Sequence, residues 1–198
     1  MRRSIPTVLL LLVTSVVALG CSESPAAPSA SAPSTLAASA TAGRGRAAVG
    51  FNGTARGFPT GEVRLTGGGS YDPASASNTL GVETTVASAG GFDCVASIAQ
   101  GPLNHCAAGE GVRWDTAQLL ASTHFKCTGA ASEALKLAVT SENTAVLQAD
   151  FYRAGDGNDE SFTAQMIVSD TDLAPDIAGT QTLWVQGVGC GDANAHFN

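Results

Sequence analysis

Positive charge is scarce in this sequence: ten Lys and Arg stand against seventeen Asp and Glu among 198 residues. From residue 47 onward the balance is 6 basic to 16 acidic side chains. Nucleic acid and anionic lipid surfaces are both gripped by clusters of Lys and Arg, so neither is an expected partner. Aromatic residues make up only 6% of the chain, and no stripe of them marks a stacking platform for sugars. Apolar runs are short as well. The longest, near the start, falls below the roughly 20 residues of a membrane-spanning helix.

Catalytic signatures are also missing. There is no G-x-S-x-G elbow, no H-E-x-x-H pair and no phosphate-binding loop. Gly187-x-Gly189-x-Gly191 follows a strand-like segment, but only seven residues come after it, too few for a phosphate-facing helix. Three histidines occur, His105, His124 and His196. A small hydrolase built on His124 or His105 with distant Ser and Asp partners is the enzymatic alternative to a non-catalytic module.

What is present first is an export segment. Arg2 and Arg3 precede the apolar run Val8 to Val13, and small residues lead to Cys21. Ala18-Leu19-Gly20-Cys21 resembles the lipobox of bacterial lipoproteins, with Ala18 where Leu is commonest. The resemblance covers the processing segment only. It implies residues 1–20 as a signal peptide and Cys21 as the lipidated residue. It also implies a cell-envelope location, on the outer membrane if the organism has one, because Ser22 is not the Asp associated with inner-membrane retention. Ordinary cleavage, releasing a secreted, non-lipidated protein, is the other outcome this segment allows. Residues 21–48 are nearly all Ser, Ala, Pro, Thr and Gly, and read as a tether too poor in apolar surface to fold.

Residues 49–198 are expected to form a single all-β domain, a disulfide-bonded β-sandwich with one or two short helices. Short apolar alternations are separated by Gly, Asn, Asp and Ser clusters. Glu62 to Thr66, Val82 to Ala87, Phe92 to Ile98, Ala145 to Arg153, Ser161 to Ser169 and Gln181 to Val188 read as strands. Gly90-Gly91 reads as a hairpin corner or tight bend. Trp114, Asp115, Gln118 and Leu119 fit a capping box with its hydrophobic staple, predicting a short helix over Asp115 to Ala121. Ala130 to Val139 fits strand and helix equally. Trp184, between Leu183 and Val185, faces either solvent or a second buried layer.

With Cys21 assigned to lipid, Cys94, Cys106, Cys127 and Cys190 remain, an even set suited to two disulfides in an exported domain. The favoured pairing among three is Cys94–Cys106 with Cys127–Cys190. No C-x-x-C spacing supports zinc. Two acidic loops have the oxygen-rich composition that calcium takes: Asp156, Asn158 and Asp159 in one, Asp170 and Asp172 in the other. They lie at opposite ends of one strand and do not match an EF-hand, so calcium competes with plain turns. No other cofactor is expected. The functional expectation is a lipid-anchored binding or structural module whose ligand is a protein or glycan.

Overall fold

Apolar side chains at alternate positions turn about half of the chain after residue 46 into antiparallel strand. The computed structural model describes residues 45–153 and 161–198. Its strands are β1 (Ala47–Gly57), β2 (Glu62–Tyr71), β3 (Val86–Ala96), β4 (Arg113–Leu119), β5 (Ser122–Phe125) and β6 (Lys136–Val139). They continue as β7 (Thr144–Tyr152), β8 (Ser161–Ser169), β9 (Leu183–Val185), β10 (Gly189–Gly191) and β11 (Ala193–Phe197). The main sheet runs β10-β9-β8-β7-β4-β3-β2-β1-β11. Because β10 also pairs with β1, through Arg56↔Cys190 and Gly57↔Gly189, the sheet returns on itself. The sandwich is therefore a closed one, and its long strands leave no free edge.

The inward residues of the two walls fill the space between them. Phe51, Leu65, Phe92, Trp114, Phe151 and Met166 belong to one buried cluster. The Phe92 and Phe151 rings meet edge to face at 5.2 Å, and Phe51 lies 5.8 Å from Trp114. A core packed with side chains in this way is not a ligand-carrying lumen.

The predicted bend at Gly90-Gly91 does not form. Both glycines lie inside the continuous strand β3, and Gly67, Gly68 and Gly69 lie inside β2, with Gly67 paired to Gly90. Their role is space rather than turning. A Cβ on Gly67 would overlap Trp114 Cζ2, and one on Gly90 would overlap the Thr66 carbonyl. Trp114 fills the space left at Gly67 and donates its indole N–H to the Thr66 carbonyl at 3.0 Å.

The predicted helix over Asp115 to Ala121 is also corrected, because Arg113–Leu119 is strand β4. Trp114 and Leu119 both face the core and pair with Phe151 and Leu147. Five residues apart, they cannot share a face of a regular strand, where the period is two. A β-bulge between Thr116 and Gln118 supplies the extra residue and so imitates a helical interval. Among the described residues the helical structure is one 3₁₀ turn, Pro73–Ser75, with Ala74 N–H donating to Asp72. Of the ambiguous stretch 130–139, Lys136–Val139 is strand β6.

A second buried cluster lies on the outer face. Val146, Ile167, Trp184 and Cys190 are neighbours across β7, β8, β9 and β10. The β5–β6 hairpin covers them with Phe125 and Ala138. Trp184 thus packs on Phe125 at 5.7 Å and donates to the Lys126 carbonyl at 2.8 Å. This explains Ile167, an apolar residue on a face otherwise polar. The strand wall is buried on both sides here.

Candidate functional site

The cysteines pair as expected: Cys94 with Cys106 and Cys127 with Cys190. The second bond ties the end of the outer hairpin to β10. Disulfides of this kind mark an extracytoplasmic protein, and among the described residues no helix is long and apolar enough to cross a membrane.

Glu133 holds the hairpin turn from inside. Its carboxylate accepts from Cys127 N–H at 2.6 Å, Thr128 N–H at 2.8 Å and the Thr128 hydroxyl at 2.6 Å. Lys136 donates to it at 3.1 Å and reaches Asp176 at 3.0 Å. Burial opposes charge on Glu133, yet the hydrogen bonds from Thr128 and Cys127 and from Lys136 outweigh it and hold its pKa near about 2. Lys136 is likewise disfavoured by burial, and its bonds to Asp176 and Glu133 raise its pKa nonetheless. This cluster is structural, with every member occupied.

The other residues singled out from sequence are dispersed. Asp156, Asn158 and Asp159 lie outside the described residues. Asp170 is exposed beyond β8. Asp172 Oδ1 accepts from Ala174 and Gln181 N–H at 3.0 and 3.1 Å, stapling its own loop. Among the described residues no three His, Cys, Asp or Glu come together as a metal-holding group. His105 sits on the loop closed by Cys94–Cys106, His124 on the outer face of β5 opposite Leu137, and His196 opposite Gly50. All three are exposed, and among the described residues none is hydrogen-bonded to a carboxylate or a serine.

What the structure does assemble is a row of amides. Gln118 on β4 pairs with Gln148 on β7, Gln148 pairs with Gln165 on β8, and all three side chains point outward. The bulge at Ala117 makes this possible: without the extra residue, Gln118 would face the core. The three amides floor a groove of about 520 Å³. Leu80 stands at its rim, 91% exposed, and Ser122 of the outer hairpin lines another side. Gln118 Nε2 donates to the Ser77 and Thr79 carbonyls, which orients the amide and leaves Oε1 open. Gln165 Oε1 accepts from the Thr123 hydroxyl at 2.5 Å, which leaves Nε2 open. Neither end of the Gln148 amide has a partner among the described residues.

No protein-family model matches the chain, and no curated protein or solved structure matches it. Function therefore has to be argued from the chain's own surface.

A second cleft, of about 600 Å³, lies beside Cys127–Cys190. Its charged side chains Arg56 and Glu62 face each other at 3.9 Å, and Asp192 accepts from the Thr182 hydroxyl at 3.4 Å. The amide groove differs in setting three amides side by side on adjacent strands. Sequence reasoning passed over it because Gln118 was read into a helix. The signal for the other two was present. A hairpin joining the strands at 145–153 and 161–169 sets Gln148 across from Gln165.

Proposed function

We propose that this chain is a cell-envelope lipoprotein. A lipid on Cys21 and a tether that ends before β1, at Ala47 rather than at residue 49 as expected from sequence, hold a non-catalytic β-sandwich binding or structural module outside the cytoplasm. The observation that carries the reading is the cysteine pairing. Cys94–Cys106 and Cys127–Cys190 use every thiol of the domain and leave Cys21, at the lipobox-like position, as the odd one. Two or three acyl chains, at about 0.8 kcal/mol per buried methylene, are enough for durable anchoring. The non-catalytic part is supported by the placement of His105, His124 and His196 on a loop, on β5 and on β11, none of them hydrogen-bonded to an acidic residue among the described residues.

The test is metabolic labelling of the full-length chain with a palmitate analogue, followed by detergent phase partitioning. Label on the parent chain, and none on Cys21→Ser, is expected. A Cys21→Ser protein that is processed and partitions like the parent would overturn the lipid anchor.

A further inference from the structure

We infer that the amide groove over β4, β7 and β8 is the binding site of this module, and that its ligand is a neutral, hydroxyl-rich chain, an uncharged oligosaccharide. The inference rests on the proposed binding role and gives it a site and a ligand class.

Neighbouring strands are about 4.8 Å apart, so Gln118, Gln148 and Gln165 present three amides at that spacing. Their open groups are complementary in kind. Gln118 offers an acceptor, Gln165 a donor and Gln148 both. A hydroxyl both donates and accepts, so a row of sugar hydroxyls satisfies all of them, whereas a purely donating or accepting ligand does not. Two of the three amides are oriented in advance: Gln118 is fixed by two backbone carbonyls, and Gln165 by Thr123. Preorganisation of this kind lowers the cost of binding.

Charge selects the class further. The outward row next to the glutamines pairs Asp115 with Asp150, and Thr163 donates to Asp150 at 2.6 Å. Two carboxylates beside the floor, on a domain of acidic balance, repel uronates and sulfated glycans. The bulge at Ala117 is the second, independent sign. It interrupts β4 and turns Gln118 outward, and bulges are over-represented beside binding and active sites for this kind of re-aiming. No aromatic ring lines the groove, so sugar C–H faces meet only aliphatic carbon such as Leu80. Affinity is accordingly modest, at about micromolar to millimolar Kd.

The experiment uses residues 45–198, oxidised, which contain the closed sheet and its whole described core. Neutral hexasaccharides (α- and β-linked glucose, mannose and N-acetylglucosamine) are titrated while the side-chain amide resonances are followed by ¹H–¹⁵N NMR. Expected is saturable movement of the Gln148 and Gln165 amide signals with at least one sugar. Gln148→Ala and Gln165→Ala should each weaken that binding about tenfold, the worth of a lost hydrogen-bonding group. Gln148→Ala should leave the unfolding midpoint unchanged, whereas Gln165→Ala also loses the bond from Thr123. No movement with any of these sugars up to about 10 mM overturns the inference. So does binding that survives both substitutions, or a hexauronate that binds equally well. The same samples, assayed for shortened sugars, separate the two claims. A sugar bound in the groove and cleaved would keep the site and end the non-catalytic reading, whereas absence of binding would end the site alone.

Discussion

Glu133→Gln tests whether one carboxylate fastens the outer hairpin to the sheet. In the folded protein the group is held near about 2, against an ordinary 4.5. A carboxyl lowered on folding contributes stability that is fully present above its unfolded value. That contribution is lost as the pH falls through the window from about 4.5 to about 2. The full conversion of this shift is about 3 kcal/mol, and solvent at the edge of the site reduces it to about 2 kcal/mol. Only 7% of the side chain is exposed, so the reduction is moderate. Glutamine keeps the shape but turns an NH₂ group toward the N–H donors of Cys127 and Thr128, and leaves Lys136 with Asp176 alone. At neutral pH the variant should unfold with a midpoint about 4–8 °C below the parent. The assay is urea or thermal unfolding of both proteins from pH 7 to pH 2. Contributions common to the two proteins cancel in the difference, which therefore reports Glu133 and the groups bonded to it. It should shrink toward zero by pH 2. A difference that stays constant across this range would refute the reasoning.

Gly67→Ala should destabilise the domain by about 1–3 kcal/mol, because its methyl overlaps Trp114, and Trp114→Phe in the same chain should recover part of the loss, as denaturant midpoints would show. Removing Cys127–Cys190, which spans 63 residues, should cost about 4 kcal/mol, and removing Cys94–Cys106, which spans 12, about 3 kcal/mol. Urea unfolding of the two double alanine variants checks the order. Tyr71 donates to the Ser141 and Glu142 carbonyls at 2.8 and 3.2 Å. Burial first, then the charges of Asp170 and Glu142, push its phenol above the usual tyrosine range. Ultraviolet titration should therefore show Tyr71 ionising above the usual tyrosine range, and Tyr71→Phe should cost about 1 kcal/mol.

The all-β architecture and both disulfides were legible because they rest on period-two alternation and cysteine parity, which are local and countable. The errors share one cause. Gly90 and Gly91 look like turn chemistry in a single chain. Their function is set by Trp114 and by the neighbouring strand, which a linear reading does not see. Asp115, Gln118 and Leu119 likewise satisfy a capping box locally, but pairing with β7 buries Trp114 and Leu119 together and wins over a weak local preference. Ile167 and Trp184 carried a usable hint: apolar residues on a face expected to be polar require a cover. That the cover is the distant β5–β6 hairpin is set by long-range packing and by Cys127–Cys190.

The location of a binding surface follows from where the closed sheet is still open. A sandwich usually offers its end loops. Here Tyr71 is buried and donates to the Ser141 carbonyl, and Leu103 is buried on the loop closed by Cys94–Cys106. Part of the outer wall is taken by the β5–β6 hairpin, whose inner face buries Val146, Ile167 and Trp184. The Gln118, Gln148 and Gln165 row lies on the same outer wall, alongside these residues, where the wall is left bare. The hairpin also completes the groove, since Thr123 orients Gln165 and Ser122 lines its side. Cross-link and site are therefore coupled. Opening Cys127–Cys190 in a chain that stays folded should weaken oligosaccharide binding through Gln165 while leaving the Gln118 contacts with Ser77 and Thr79 intact. If NMR instead showed the Gln165 amide unchanged on reduction, the hairpin would be a cover for the second core and no part of the site.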